Sequence, residues 1–335
     1  MPLKIGVIGV GMIGQDHIRR LTNVLAGAEV VAVSDVDAAR ASEVARRLPG
    51  GKAYPTGEAV IAANEVEAVV VTSWGATHAA YVLAAIAAGK PVFCEKPLAD
   101  DEKDCAAILD AEAAFGRRLV QVGFMRRFDA QYRAMKETIA SGAIGAPLLF
   151  HSVHRNPAPP GHFKTHMTLT DTAVHDIDIA RFLLDDEPAA VTVKVPRPNS
   201  RGDDLCDPLM TLIETRAGAI VSIETSVNIA YGYDIRGEVV GETGTVALAE
   251  RNDVVVRSGG FFKGRVPADW RERFSLAFDE EFRAWISAAA RGGAAGPSTW
   301  DGYVATVATA AGARALDTGR REPIRLRDRP ALYSA

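Results

Sequence analysis

The constraint that most limits this chain is the apolar run Lys4–Ile8 passing directly into Gly9-Val10-Gly11-Met12-Ile13-Gly14. A G-x-G-x-x-G between a strand and a helix has a physical reason at each glycine. The first permits the tight turn, the second lets backbone approach a pyrophosphate, and the third allows close helix–strand packing. The helix N-terminus then offers free N–H groups to the phosphates. A second apolar run, Glu29–Ser34, ends at Asp35, twenty-one residues beyond Gly14, where an acid meets an adenosine ribose. Gly9, Gly11, Met12, Ile13, Gly14 and Asp35 therefore predict a dinucleotide site, the alternative being a glycine-rich structural turn. A carboxylate accepts from a 2′-hydroxyl and repels a 2′-phosphate. No Arg or Lys follows Asp35 immediately, and Arg40 is expected on the outside of the next helix, so NAD is favoured over NADP.

The same alternation continues. β-branched runs at Lys4–Ile8, Glu29–Ser34, Ala68–Thr72, Pro91–Cys94 and Leu119–Val122 alternate with helical patterns near 12–26, 37–47, 76–88 and 101–115. Strands separated by helices imply βαβ units. An N-terminal Rossmann domain, a doubly wound parallel α/β sheet, is expected over residues 1–123. In such sheets the ligand lies beyond the carboxyl ends of the strands. Ser73, Trp74 and His78 after the fourth strand, and Glu95 and Lys96 after the fifth, are the expected cofactor neighbours. For His78 a solvent-facing position at a helix start is the alternative. Pro97 holds Lys96 extended.

At 335 residues the chain exceeds what one core usually supports, so a second domain is expected over 124–335. There a helix near 127–140, a strand at Leu148–Val153 and a helix over 170–184 lead into strand after strand: Ala190–Val195, Pro208–Glu214, Ala219–Val227, Tyr233–Val240 and Thr245–Leu248. Short Gly-containing turns such as Arg216-Ala217-Gly218 suggest an α+β domain with a large open, mostly antiparallel sheet. Helices near 271–290 and 300–317 follow, with an irregular tail from Glu322.

A net charge of −4 without basic blocks argues against nucleic acid. Nothing reaches the apolar length of a membrane span, and the glycine-interrupted start lacks the features of a signal peptide. Three cysteines, Cys94, Cys105 and Cys206, stand at unrelated spacings and read as reduced thiols in a cytoplasmic protein. Asp171 and His175, or His162 and His166, have the i,i+4 spacing of metal ligands. No H-E-x-x-H or paired-cysteine pattern accompanies them, so no metal is expected.

Asp171 and His175 would instead share one helix face as carboxylate and imidazole. With Lys96 they make a sufficient set for taking a proton from an alcohol. Taken together, Gly6-Val7-Ile8-Gly9, Val92-Phe93-Cys94-Glu95-Lys96-Pro97-Leu98-Ala99, Val122-Gly123-Phe124-Met125-Arg126-Arg127-Phe128-Asp129, His154-Arg155-Asn156-Pro157, Asp171–His175, Tyr231-Gly232-Tyr233-Asp234-Ile235 and Trp300-Asp301-Gly302-Tyr303 resemble the Gfo/Idh/MocA oxidoreductase family over nearly the whole chain. The Glu-Lys-Pro and Asp-x-x-x-His pieces belong to the wider family. The Phe-Met-Arg-Arg, His-Arg-Asn-Pro and Tyr-Gly-Tyr-Asp pieces look like its inositol branch.

The resemblance implies NAD-dependent oxidation of myo-inositol at C2 to scyllo-inosose. His175 would be the general base, an imidazole's ordinary pKa of about 6.5 suiting that work. Asp171 would orient it or the substrate, and Lys96 would bond the same oxygen as charge develops. A cyclic polyol needs many polar contacts, and Arg126, His154, Asn156 and Tyr233 are the candidates, with Met125 as an apolar wall. Tyr231 and Tyr233 share parity, so both are expected on one side of a strand with Tyr233 reaching the substrate. Arg127 reads equally as a surface charge, and Asp178 as structural. The resemblance also implies a homotetramer through the C-terminal sheet. Other readings are a dehydrogenase of scyllo- or chiro-inositol or of glucose, and a non-catalytic dinucleotide-binding regulator.

Overall fold

Ala68-Val69-Val70-Val71 has no exposed residue, and a strand so uniformly apolar can only lie in a sheet covered on both faces. A computed structural model of the chain, which describes residues 1–197, 199–200, 205–249 and 254–334, places it so. Contacts divide the chain into two compact units. The first comprises 1–125, 278–306 and 326–335, and the second 126–277 and 307–325. This division departs from one cut at residue 123, because segments late in the chain cluster with the N-terminal sheet.

In the first unit β1 (Leu3–Ile8), β2 (Ala28–Ser34), β3 (Lys52–Ala53), β4 (Ala68–Val71), β5 (Val92–Glu95) and β6 (Val120–Gly123) form one sheet in the order β3-β2-β1-β4-β5-β6. Every pairing is parallel. The connecting helices are α1 (Met12–Asn23), α2 (Ala38–Arg46), α3 (Gly57–Ala62), α4 (His78–Ala87) and α5 (Glu102–Phe115). Local chemistry sets their ends. Asp37 and Asp101 cap α2 and α5 by accepting from backbone N–H groups, and Gly116 closes α5 with a φ of 83°. Strand β3 and helix α3, both short, lie in a stretch without periodicity strong enough to predict them. Phe282, Trp285 and Ile286 from a late helix join Val7, Val70 and Phe93 in the core.

In the second unit α6 (Ala130–Ala140), β7 (Pro147–Arg155) and α7 (Val174–Leu184) precede β8 (Pro188–Lys194), β9 (Leu209–Thr215), β10 (Ile220–Ser226), β11 (Asp234–Gly241) and β12 (Thr245–Ala247). A small hairpin of β13 (Val256–Ser258) and β14 (Phe261–Lys263) follows, which the sequence did not announce. The long helices are α8 (Trp270–Ala289) and α9 (Thr299–Thr318). The tail expected to be irregular supplies β15 (Glu322–Pro323) at the edge beside β8, because its backbone can complete that strand's ladder. The sheet order is β12-β11-β7-β10-β9-β8-β15, and only β7 and β10 run parallel. Burial alternates strictly along β9, with Thr211 and Ile213 inward and Met210 and Leu212 outward.

The tail is anchored further on by Tyr333, whose hydroxyl donates to Glu112 at 2.6 Å. The fully buried Glu112 carboxylate also accepts from Thr299 Oγ1 at 2.5 Å and from the backbone N–H groups of Leu119 and Val120 at 2.6 and 2.7 Å. One side chain therefore ties α5, β6, α9 and the C-terminus together. Glu112→Ala strands two buried amides and two hydroxyls, and should lower unfolding free energy by about 3 kcal/mol or more in a urea melt. Tyr333→Phe should cost only about 1 kcal/mol.

Candidate active site

Each glycine of the glycine-rich turn has its own steric surroundings. Gly9 has a φ of 91°, and a side chain there would strike the backbone of Ser73. A Cβ on Gly14 would collide with the Gly9 carbonyl, as required of the packing glycine. A Cβ on Gly11, by contrast, would meet nothing within 4 Å. Gly11 is also the N-cap of α1, and no side chain caps that end. Free N–H groups over open space fit an anionic pyrophosphate.

Asp35 stands at the end of β2, its Oδ2 accepting from Val10 N–H at 2.8 Å and its Oδ1 from Asp37 N–H at 2.9 Å. The carboxylate is thus fixed beside the turn by two backbone donors. Arg40 is exposed on the outside of α2, as expected. Its guanidinium folds back to 3.5 Å from Asp35 and 3.2 Å from Asp37, because two carboxylates attract it across one helical turn.

The loops after β4 and β5 are joined by His78. The ring is buried, not solvent-facing, and its nitrogens meet the carbonyl oxygens of Pro97 at 2.7 Å and Ser73 at 2.9 Å. Ser73 Oγ bonds Thr77, and Trp74 stands 77% exposed. Lys96 is half-buried at the end of β5, joined to Pro97 by a cis peptide bond. Its neighbour Glu95 turns the other way. One carboxylate oxygen bonds His17 Nε2 of α1 at 2.8 Å and the other accepts from Lys96 N–H at 3.2 Å. Because Arg20 can only donate to His17 Nδ1, at 3.2 Å, the imidazole proton sits on Nε2 and faces Glu95. Sequence reasoning missed His17, whose spacing on α1 looks like any core position.

In the second unit the inner face of β7 and the start of α7 hold a buried polar cluster. Arg126, expected as a substrate contact, is 1% exposed, its Nη1 donating to Asp176 Oδ1 at 2.6 Å. Ser152 Oγ donates to the same oxygen at 2.6 Å, and His154 Nδ1 lies 2.8 Å from Asp176 Oδ2. His154 Nδ1 is also 2.8 Å from Arg126 Nη2, and its Nε2 is 3.4 Å from the Tyr233 hydroxyl. His175 is buried at 9% exposure, its ring centroid 6.4 Å from that of His154. Asp176 is the residue the sequence concealed, since it reads as the polar neighbour of His175, the candidate base.

Charge explains the protonation states. Burial alone would raise the Asp176 pKa, but the Arg126 guanidinium and His154 hold the carboxyl well below the usual range. Burial pushes the Tyr233 phenol up to about 12, opposed by Arg126, so it keeps its proton at neutral pH. Arg127 pairs with Asp178 at 2.5 Å, which makes Asp178 structural as expected and Arg127 its partner.

Asp171 lies in a π-helical stretch, Thr168–Ala173, that continues into α7. A wider turn still returns the chain to about the same side after four residues, and such turns often mark functional sites. Asn156 is half-buried just past β7, its backbone N–H held by Ser226. Met125 is buried at the last position of the first unit's leading segment. Tyr231 and Tyr233 precede β11 and do not share a side. The loop sends Tyr231 outward, 49% exposed, to Arg155 and Asp234, and Tyr233 inward. His162 and His166 are exposed and lie on no helix, so their spacing does not place them on one face.

Residues 3–124 match the model of an oxidoreductase family's NAD-binding Rossmann fold, GFO/IDH/MocA, and residues 132–247 match its C-terminal domain. The chain is 53% identical over 334 residues to inositol 2-dehydrogenase 3 of Saccharopolyspora erythraea, covering 99% of this chain and 98% of that one. It is 50% identical to an inositol 2-dehydrogenase of Pseudomonas syringae, covering all of both. A crystal structure of myo-inositol dehydrogenase from Lactobacillus casei, in complex with NAD(H) and myo-inositol, matches with a TM-score of 0.97 at 37% identity over the whole of both chains.

Replacing Asp35 by Ser removes the carboxylate while leaving Arg40 in place. The ratio of kcat/KM with NAD to that with NADP should fall by about tenfold or more. An unchanged ratio in steady-state assays would show that Asp35 does not read the ribose.

Proposed function

Because this chain belongs to the GFO/IDH/MocA oxidoreductase family, we propose that it oxidises myo-inositol at C2 to scyllo-inosose, with NAD as hydride acceptor. The observation that carries this reading is the likeness to inositol 2-dehydrogenases at about half identity through both domains, in a chain that has Lys96, Asp171 and His175. When bound, NAD supplies the carbon that takes the hydride. Gly9, Gly11, Met12, Ile13, Gly14 and Asp35 hold its pyrophosphate and ribose, and Ser73, Trp74, His78, Glu95 and Lys96 border it. The chain's other residues handle the proton and the ring.

His175 takes the proton from the C2 hydroxyl, and Asp171, one turn earlier, orients the imidazole and offsets its charge. Lys96 supplies the positive charge that a developing alkoxide needs. Asn156 and Tyr233 meet the remaining hydroxyls, Arg126 and His154 stand behind Tyr233 in the buried cluster, and Met125 is the apolar wall. A polyol offers donors and acceptors at every carbon, and a buried polar cluster such as that around Asp176 suits one stereoisomer because each misplaced hydroxyl would leave a group unpaired. The outward apolar residues Met210, Leu212 and Ile220 support self-association through the open sheet face as a homotetramer. Two wholly buried thiols, Cys94 and Cys105, the latter pushed up to about 12 by burial, support residence in the reducing cytoplasm.

Assay with a panel of inositol stereoisomers and glucose tests the reading. The highest kcat/KM should fall on myo-inositol with NAD, and preference for scyllo- or chiro-inositol would overturn it. His175→Ala should lose about 10²- to 10⁴-fold in kcat while its NAD affinity, followed by fluorescence titration, stays the same.

A further inference from the structure

His154 Nδ1 faces two groups that ask opposite things of it. Asp176 Oδ2 can only accept and Arg126 Nη2 can only donate, yet each lies 2.8 Å from the same nitrogen. A single proton decides which contact is a hydrogen bond. If Nδ1 were bare, its lone pair would confront a carboxylate oxygen of a side chain with no exposure at all. That arrangement sets a lone pair against a buried carboxylate oxygen and leaves Oδ2 without a donor, the costlier error.

If the proton is on Nδ1, both carboxylate oxygens of Asp176 are bonded and only the Arg126 Nη2 contact is given up. Nδ1–H donates to Asp176 Oδ2. Nε2 is then an acceptor, and the Tyr233 hydroxyl, 3.4 Å away, donates to it. Arg126 Nη1 donates to Asp176 Oδ1 at 2.6 Å. Ser152 completes Oδ1. The relay Tyr233–His154–Asp176 then runs in one sense toward the carboxylate, and the lone pairs of the Tyr233 oxygen are left over. The other tautomer would reverse it. Nε2–H would point at the Tyr233 oxygen, whose own proton would then face outward.

We propose that Asp176 is a positioning residue that fixes His154 as the Nδ1–H tautomer, so that Tyr233 presents an acceptor rather than a donor to one substrate hydroxyl. Through this relay, specificity for a polyol epimer depends on a carboxylate that never touches the substrate. The proposal rests on reading this cluster as part of the polyol site, and it adds to that reading the sense in which one hydrogen bond runs.

Solid-state ¹⁵N spectra of histidine-labelled wild-type enzyme at neutral pH read the tautomer directly. The chain has 7 histidines, and His154 is assigned by the signal lost in His154→Gln. Nδ1 should appear protonated and Nε2 bare. A protonated Nε2 in the wild type overturns the proposal without recourse to any variant. In Asp176→Asn the protonated nitrogen should switch to Nε2, whereas Ser152→Ala, which keeps the carboxylate, should leave it on Nδ1.

The second readout is a panel of monodeoxyfluoro-inositols, in which fluorine can accept but not donate. Wild-type enzyme should bind one member about tenfold more weakly than the others, the size of one lost hydrogen bond at a buried group. In Asp176→Asn that gap should close while KM for NAD is unchanged. Uniform weakening across the panel would mean that Asp176 only supports the fold. A wild type with the expected tautomer but no turnover of myo-inositol would sink the substrate reading and leave the tautomer assignment standing.

Discussion

A charge removed from water must find its partner inside the protein, and this requirement organises both units. Taking two ions out of water is so costly that a buried pair adds little net stability, but losing one member costs about 3–5 kcal/mol. The structure meets the requirement repeatedly. Arg20, 1% exposed, is held by Asp16 and Asp279, and its guanidinium lies over Phe278. Arg126 is held by Asp176, and Arg273 by Asp129 at 2.8 Å. Such pairs fix geometry more than they add energy. Each guanidinium has a planar fork, so its partner must come from one direction.

The fixed geometry is placed where chemistry would use it. In the first unit the His17–Glu95 pair sits directly beneath the backbone of Lys96, so a residue of α1 controls the end of β5. Gly123 shows how tight this is, since a Cβ there would press to 3.1 Å from the Glu95 carboxylate. In the second unit Asp176 follows His175 in the chain and points to β7, so the same turn of α7 carries both a candidate base and the anchor of its neighbour His154. Adjacent residues on a helix face different ways. One turn can therefore serve reaction and support together.

What could be read in the sequence follows from what each feature depends on. The parallel sheet was legible because Ala68–Val71 is uniformly apolar and Val92–Glu95 is a short run set off by Pro91 and Pro97. The dinucleotide turn was legible because three glycines each answer a local steric demand. Features set by tertiary partners were not. His78 reads as an exposed helix start, but two carbonyl oxygens from different loops claim its ring. Tyr231 and Tyr233 have strand parity in sequence, yet the strand begins only at Asp234, and the loop before it parts them. The π-helical turn at Asp171 has no composition of its own. Asp176 was passed over because a carboxylate beside a catalytic histidine looks like a solvated neighbour until its surroundings are known.

The contrast between the two histidine clusters bears on what the buried charges do. His17 has one donor and one acceptor at separate nitrogens, so Arg20 and Glu95 leave it a single arrangement. His154 has its donor and acceptor at the same nitrogen, so its arrangement is decided by the balance between Arg126 and Asp176. A site that recognises hydroxyls, each able to donate or accept, gains nothing from charge alone because charge does not distinguish epimers. It must fix which way each hydrogen bond runs. A neutral imidazole between a carboxylate and a phenol can transmit that sense over several ångströms without moving an atom, and a lysine or arginine in its place could only donate.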